Sequence, residues 1–107
     1  MNAFSQALSA ALERCIAANT VATGEFPVGF LYREAPAFEN DSGWRFFSGD
    51  ETDEYTDDTA NFSVCALSDI IKFNPELAAL LHHPAGSAWE AAEDGSFLPV
   101  ADWQPQD

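Results

Sequence analysis

The chain has 107 residues, 47% hydrophobic and 13% aromatic, which fits one globular domain with a modest core. Four basic residues (Arg14, Arg33, Arg45, Lys72) face eighteen acidic ones, for a formal net charge of -14 at pH 7. That balance excludes direct nucleic-acid binding, which needs Lys and Arg on phosphates. It disfavours anionic membrane surfaces and favours cationic partners.

Residues 3–18 predict an amphipathic helix. Phe4, Leu8, Leu12, Cys15 and Ile16 recur at helical spacing, the alanine content is high, and Asn2 is a candidate N-cap. Residues 1–25 are read as this helix and its connection. Glu13 and Arg14 interrupt the apolar run and no positive start precedes it, so a secretory signal is not expected. No window approaches the length of a membrane span, and cytoplasmic residence is the default.

Phe26–Tyr32 reads as a strand, with Pro27 near its start. After a turn-rich stretch at 33–43, Trp44–Ser48 forms the next strand. Alternation places Trp44, Phe46 and Ser48 on one face, and Arg45 and Phe47 on the other. An acidic loop follows from Gly49 to Ala60. Phe62–Leu67 is a third strand, and Ser68 is read as the cap of a helical segment that Asn74-Pro75 breaks. A second short helix, Glu76–His82, ends before Pro84. Ser87–Ala91 and Phe97–Val100 flank an Asp94-Gly95 turn as a hairpin, and the tail Asp102–Asp107 is expected to fray. The expected fold is a single α+β domain. It has a mostly antiparallel sheet of about five strands, an N-terminal helix, and two short helices between strands three and four.

The densest signal is the stretch 42–58, an aromatic strand running into carboxylates. Asp50, Glu51, Asp53, Glu54, Asp57 and Asp58 have three readings: a solvated loop, a docking surface for a basic partner, or a divalent-cation site. The spacing lacks the ligand pattern of a calcium-binding loop, so no metal and no cofactor is assigned. Tyr55, within the acids, is the candidate aromatic anchor of an interface. Arg45 is expected to pair with a nearby carboxylate, with contact to a partner as the lesser reading. Trp44 and Phe46 are core residues.

The two cysteines, Cys15 and Cys65, lie far apart without metal-ligand spacing and read as buried thiols. No serine has a nucleophile-elbow context. His82-His83 lacks an Asp or Ser at catalytic spacing, so an enzyme is not expected.

The segments Val28-Gly29-Phe30-Leu31-Tyr32-Arg33-Glu34 and Ser42-Gly43-Trp44-Arg45-Phe46-Phe47-Ser48-Gly49-Asp50-Glu51 carry a resemblance. With them go Tyr55, Asp57-Asp58, Asn74-Pro75, Leu80-Leu81 before Pro84, and Gly86-Ser87-Ala88. This pattern resembles the DUF2185 family, also described as Imm33, an immunity-protein family of bacterial polymorphic toxin systems. The resemblance covers roughly residues 26–100. It implies an α+β fold and a role in neutralising a cognate protein toxin. On that reading the acidic and aromatic stretch meets a basic effector. The alternative is a small acidic binding module without a toxin, dependent on Ca²⁺ or Mg²⁺.

Overall fold

A computed structural model describes residues 13–100. The first described element is a strand. β1 (Arg14–Ala18) pairs in parallel with β3 (Asp41–Phe47) and antiparallel with β4 (Phe62–Ala66). The expected helix over 3–18 is therefore corrected in its last part, while its first part and Asn2 lie outside the described residues. Alanine-rich sequence favours helix only as a weak prior, and hydrogen-bonded neighbours on both sides outweigh it. Cys15 and Ala17, two apart, are fully buried, as strand periodicity requires.

A four-residue helix, α1 (Asn19–Ala22), follows, then β2 (Phe30–Arg33) and β3 as an antiparallel pair. The acidic segment is partly helical: α2 (Asp53–Asp57) is capped by Thr52, whose hydroxyl accepts from the Tyr55 N–H at 3.1 Å. A 3-10 turn (Thr59–Asn61) leads into β4. Next come α3 (Leu67–Phe73) and a second 3-10 stretch (Pro75–Leu80). The N-cap of α3 is Ala66, two residues before the expected Ser68. β5 (Ala88–Ala91) and β6 (Phe97–Pro99) close the described chain around Gly95, whose φ of 87° suits glycine.

The result is an α+β fold in which the described residues form a sheet of six strands in the order β4-β1-β3-β2-β5-β6. Every pairing except β1–β3 is antiparallel. The core contains Cys15, Ala17, Leu31, Trp44 and Phe46 from the strands. Val21, Leu67, Ile70 and Leu77 join them from the helical segments. Asn74, only 2% exposed, ties these layers together. Its Oδ1 accepts from the Val28 N–H at 3.1 Å, and its Nδ2 donates to the Ile70 carbonyl at 3.1 Å.

β3 is not a regular strand. The register with β1 slips between Arg14 and Ile16, so that Ile16 faces Arg45 while Arg14 faces Asp41. Gly43 sits in this bulge at φ 88°, and a Cβ there would lie 2.2 Å from the Glu34 carbonyl oxygen. The bulge has a chemical consequence. In an extended strand, residues four apart are separated by about 13 Å, too far for a direct ion pair. Here Arg45 reaches Asp41 with both terminal nitrogens, at 2.9 and 2.8 Å.

Candidate functional site: an acidic helix beside an aromatic groove

The eight residues that sequence reasoning marks for partner contact separate into two groups. Arg45 does not reach the acidic surface. Its side chain is 4% exposed; it forks onto Asp41 and also donates from Nε to Glu34 at 2.6 Å. The pairing with carboxylates is therefore found, and it is internal. Burial alone would lower the Arg45 pKa, but the two carboxylates outweigh it and hold the guanidinium more firmly charged than usual. Burial likewise pushes Asp41 up, yet hydrogen bonds from Arg45, the Ala37 N–H and the Gly43 N–H bring it below the ordinary Asp value. This network satisfies a charge buried on both sides, the geometry in which an ion pair holds.

Glu51 is also committed to the fold. One oxygen accepts from the Ser48 N–H and hydroxyl, both at 2.8 Å, and the other from the Gly49 N–H at 2.9 Å. Burial would raise its pKa; these bonds win and lower it. Asp58 accepts from the Ala60 N–H at 2.9 Å and caps the 3-10 turn, while staying exposed.

Asp50, Asp53, Glu54 and Asp57 are different. All four are exposed, and none forms an ion pair with a described cation. Asp53 and Glu54 occupy the first turn of α2, where the helix dipole favours them. Two of the four basic residues are unavailable to neutralise this surface. Arg45 is buried, and Arg33 donates to the carbonyls of Ser42 (2.9 Å) and His83 (2.7 Å) with its guanidinium over the Trp44 ring.

Tyr55 fastens the acidic helix to the sheet. It is half-buried, its hydroxyl donates to the Asn61 carbonyl at 3.1 Å, and its ring meets Phe62 edge-on at 5.7 Å. Phe62 contacts Phe47, which packs against both Phe30 and Tyr32, all with ring centroids within 5.9 Å. An aromatic ladder thus crosses the sheet face opposite Leu31, Trp44 and Phe46. Beside it opens a groove of about 610 Å³, walled by Phe30, Tyr32 and Phe47 and rimmed by Asp50, Glu51 and Glu90. Sequence reasoning missed Phe30, Tyr32 and Glu90. The alternation of Phe30 and Tyr32 around core residue Leu31 was the available signal.

Among the described residues, no group of three or more His, Cys, Asp or Glu side chains is placed to hold a metal ion. The carboxylates of α2 form no such group, so nothing in the geometry favours the Ca²⁺ or Mg²⁺ reading. His82 and His83 lie ring against ring at 4.3 Å, and His83 also packs on Trp89. Neither ring shows a side-chain hydrogen bond among the described residues. No described helix is long and apolar enough to cross a membrane.

The described residues form a small α+β domain that presents exposed carboxylates on and beside α2, next to a groove walled by half-buried aromatics. The chain belongs to the immunity protein Imm33 domain family, whose model matches residues 15–101. That match takes in β1 from Cys15 and all of α1 as well as the segments that carry the resemblance. Comparisons with curated proteins and with solved structures gave no match.

Proposed function

We propose that this chain is an immunity protein that binds and neutralises a cognate bacterial toxin in the cytoplasm, and that α2 with the adjoining groove is its docking surface. Membership of the Imm33 family supports the role. The observation that carries the site is the set of exposed carboxylates, Asp50, Asp53, Glu54 and Asp57, left without an ion-pair partner among the described residues beside a groove walled by half-buried aromatics. A folded domain with a net charge of -14 loses stability to self-repulsion. Like charges gathered on one helix add to that cost and are offset when a cationic surface binds.

The partner is accordingly a basic effector. Carboxylates steer encounter over the Debye length, and the aromatic wall supplies dry contact once docked. Chemical catalysis by this chain has no part in the reading: the protein acts by occupying its target.

The test is co-purification with the protein encoded by the neighbouring gene, together with rescue of cells that express that protein. Complex formation and rescue, both weakened by D53N/E54Q/D57N, are expected. Failure to form a complex at either low or high salt would contradict the proposal.

A further inference from the structure

The two cysteines stand apart from that surface and have a geometry of their own. Cys15 on β1 is fully buried; Cys65 on the edge strand β4 is half-buried. They are direct partners in the antiparallel β1–β4 register, with Sγ atoms 3.7 Å apart. Directly opposed residues hold their Cα atoms about 4.5–5.5 Å apart, within the span of about 4.4–6.8 Å that a disulfide bridges. Closing the sulfurs to a bond of about 2.05 Å moves each by less than about 1 Å, which side-chain rotation supplies.

We propose that Cys15 and Cys65 form a reversible intramolecular disulfide by exchange with low-molecular-weight disulfides, making the β1–β4 seam a redox modification site. The proposal does not depend on the toxin reading.

Cys65 is the attacking residue because it is the one solvent reaches. The hydrogen bond between the two thiols holds Cys65 below its usual pKa, with Arg14 assisting against the opposing effects of burial and Asp69. The same hydrogen bond, and then burial, push Cys15 up, so it stays protonated while Cys65 is anionic. In the first step the Cys65 thiolate attacks one sulfur of RSSR. The S–S bond breaks, RS⁻ leaves, and a mixed disulfide forms on Cys65.

The anion facing Cys15 is now gone. Cys15 gives its proton to the departing thiolate, attacks Cys65 Sγ and expels the second RS⁻, which takes a proton from water. The two protein thiols lose two electrons, and RSSR becomes two RSH. Excess thiol reverses both steps. The closed bond ties the edge strand to the sheet interior and encloses β2, β3 and α2 in one covalent loop.

The experiment incubates the full chain in glutathione buffers of graded GSSG content. Free thiols are then alkylated under denaturing conditions, and intact mass and melting temperature are read. Conversion to a monomer that has lost two hydrogens and takes up no alkylating reagent is expected. Its melting temperature should rise by at least about 5 °C, and dithiothreitol should reverse the change. C15S should stop at one glutathione on Cys65, and C65S should remain unmodified while folded. Two alkylatable thiols at the most oxidising ratio, a persistent glutathione adduct on the wild type, or disulfide-linked dimers would each overturn the proposal. The wild-type titration decides the matter even if a variant does not fold.

Discussion

Two acidic stretches adjoin along this chain and use the same chemical group in opposite ways. In residues 34–51, Glu34, Asp41 and Glu51 are built into the fold: Arg45 answers the first two, and Ser48 and Gly49 answer the third. In residues 52–58, Asp53, Glu54 and Asp57 stand in solvent without a described cation near them. The difference teaches where to look for function. A carboxylate whose lone pairs are met internally is a folding device. One that is left unmet, among many like charges, is available to something outside. The long motif from Ser42 to Glu51 belongs mostly to the first kind, with a bulge at Gly43, two core aromatics, Arg45 in its buried ion pair with Asp41, and one cap; its Asp50 is exposed and goes with the second.

The largest test of this division is Arg45→Met. Asp41 has a fully buried side chain and would lose its charged partner. Removing one member of a buried pair costs about 3–5 kcal/mol, read as a fall in urea midpoint at unchanged slope. A loss below about 1 kcal/mol would mean that the network is not structural.

Glu51→Gln should cost about 1–2 kcal/mol, since it weakens charge-assisted bonds to partly buried donors. The sign with pH follows from the depressed carboxyls. The folded-state pKa values of Asp41 and Glu51 lie below their unfolded values. Their stabilisation is therefore complete above the unfolded pKa of roughly 4 and is lost as pH falls through the folded values. Melting temperature should drop on acidification in that range, and less steeply in Glu51→Gln than in wild type.

Tyr55→Phe deletes one hydrogen bond to Asn61 and keeps the ring on Phe62; about 1 kcal/mol is expected. The smallest effect is on the exposed stretch itself. Added salt should raise the melting temperature by a few degrees through screening, and D53N/E54Q/D57N should reduce that response. A flat salt response would mean that these acids are compensated after all.

Much of the first region was legible in the sequence. The period of two around Trp44 and Phe46 placed them in the core and put Arg45 opposite, and Asn74-Pro75 ended a helix as read. β1 was not legible, because Cys15 and Ile16 continue the helical spacing of Phe4, Leu8 and Leu12 in an alanine-rich stretch. The preference for strand comes from β3 and β4 on either side, which only the folded chain brings together. The bulge was hidden for a similar reason: a glycine in an aromatic strand does not reveal that it lets Asp41 and Arg45 meet. In the second region the Thr52-Asp53-Glu54 capping pattern was readable as a helix start, yet acid density masked it. The groove depends on β2, β3 and β5 lying side by side, a register that no local pattern encodes.

The most direct test of the central claim is the association rate constant with the protein encoded by the neighbouring gene, measured by stopped flow across ionic strength. The account predicts a fast rate at low salt that falls steeply as salt rises. It also predicts that D53N/E54Q/D57N slows association by on the order of 10-fold and flattens the salt dependence. A rate indifferent to both salt and these substitutions would contradict it.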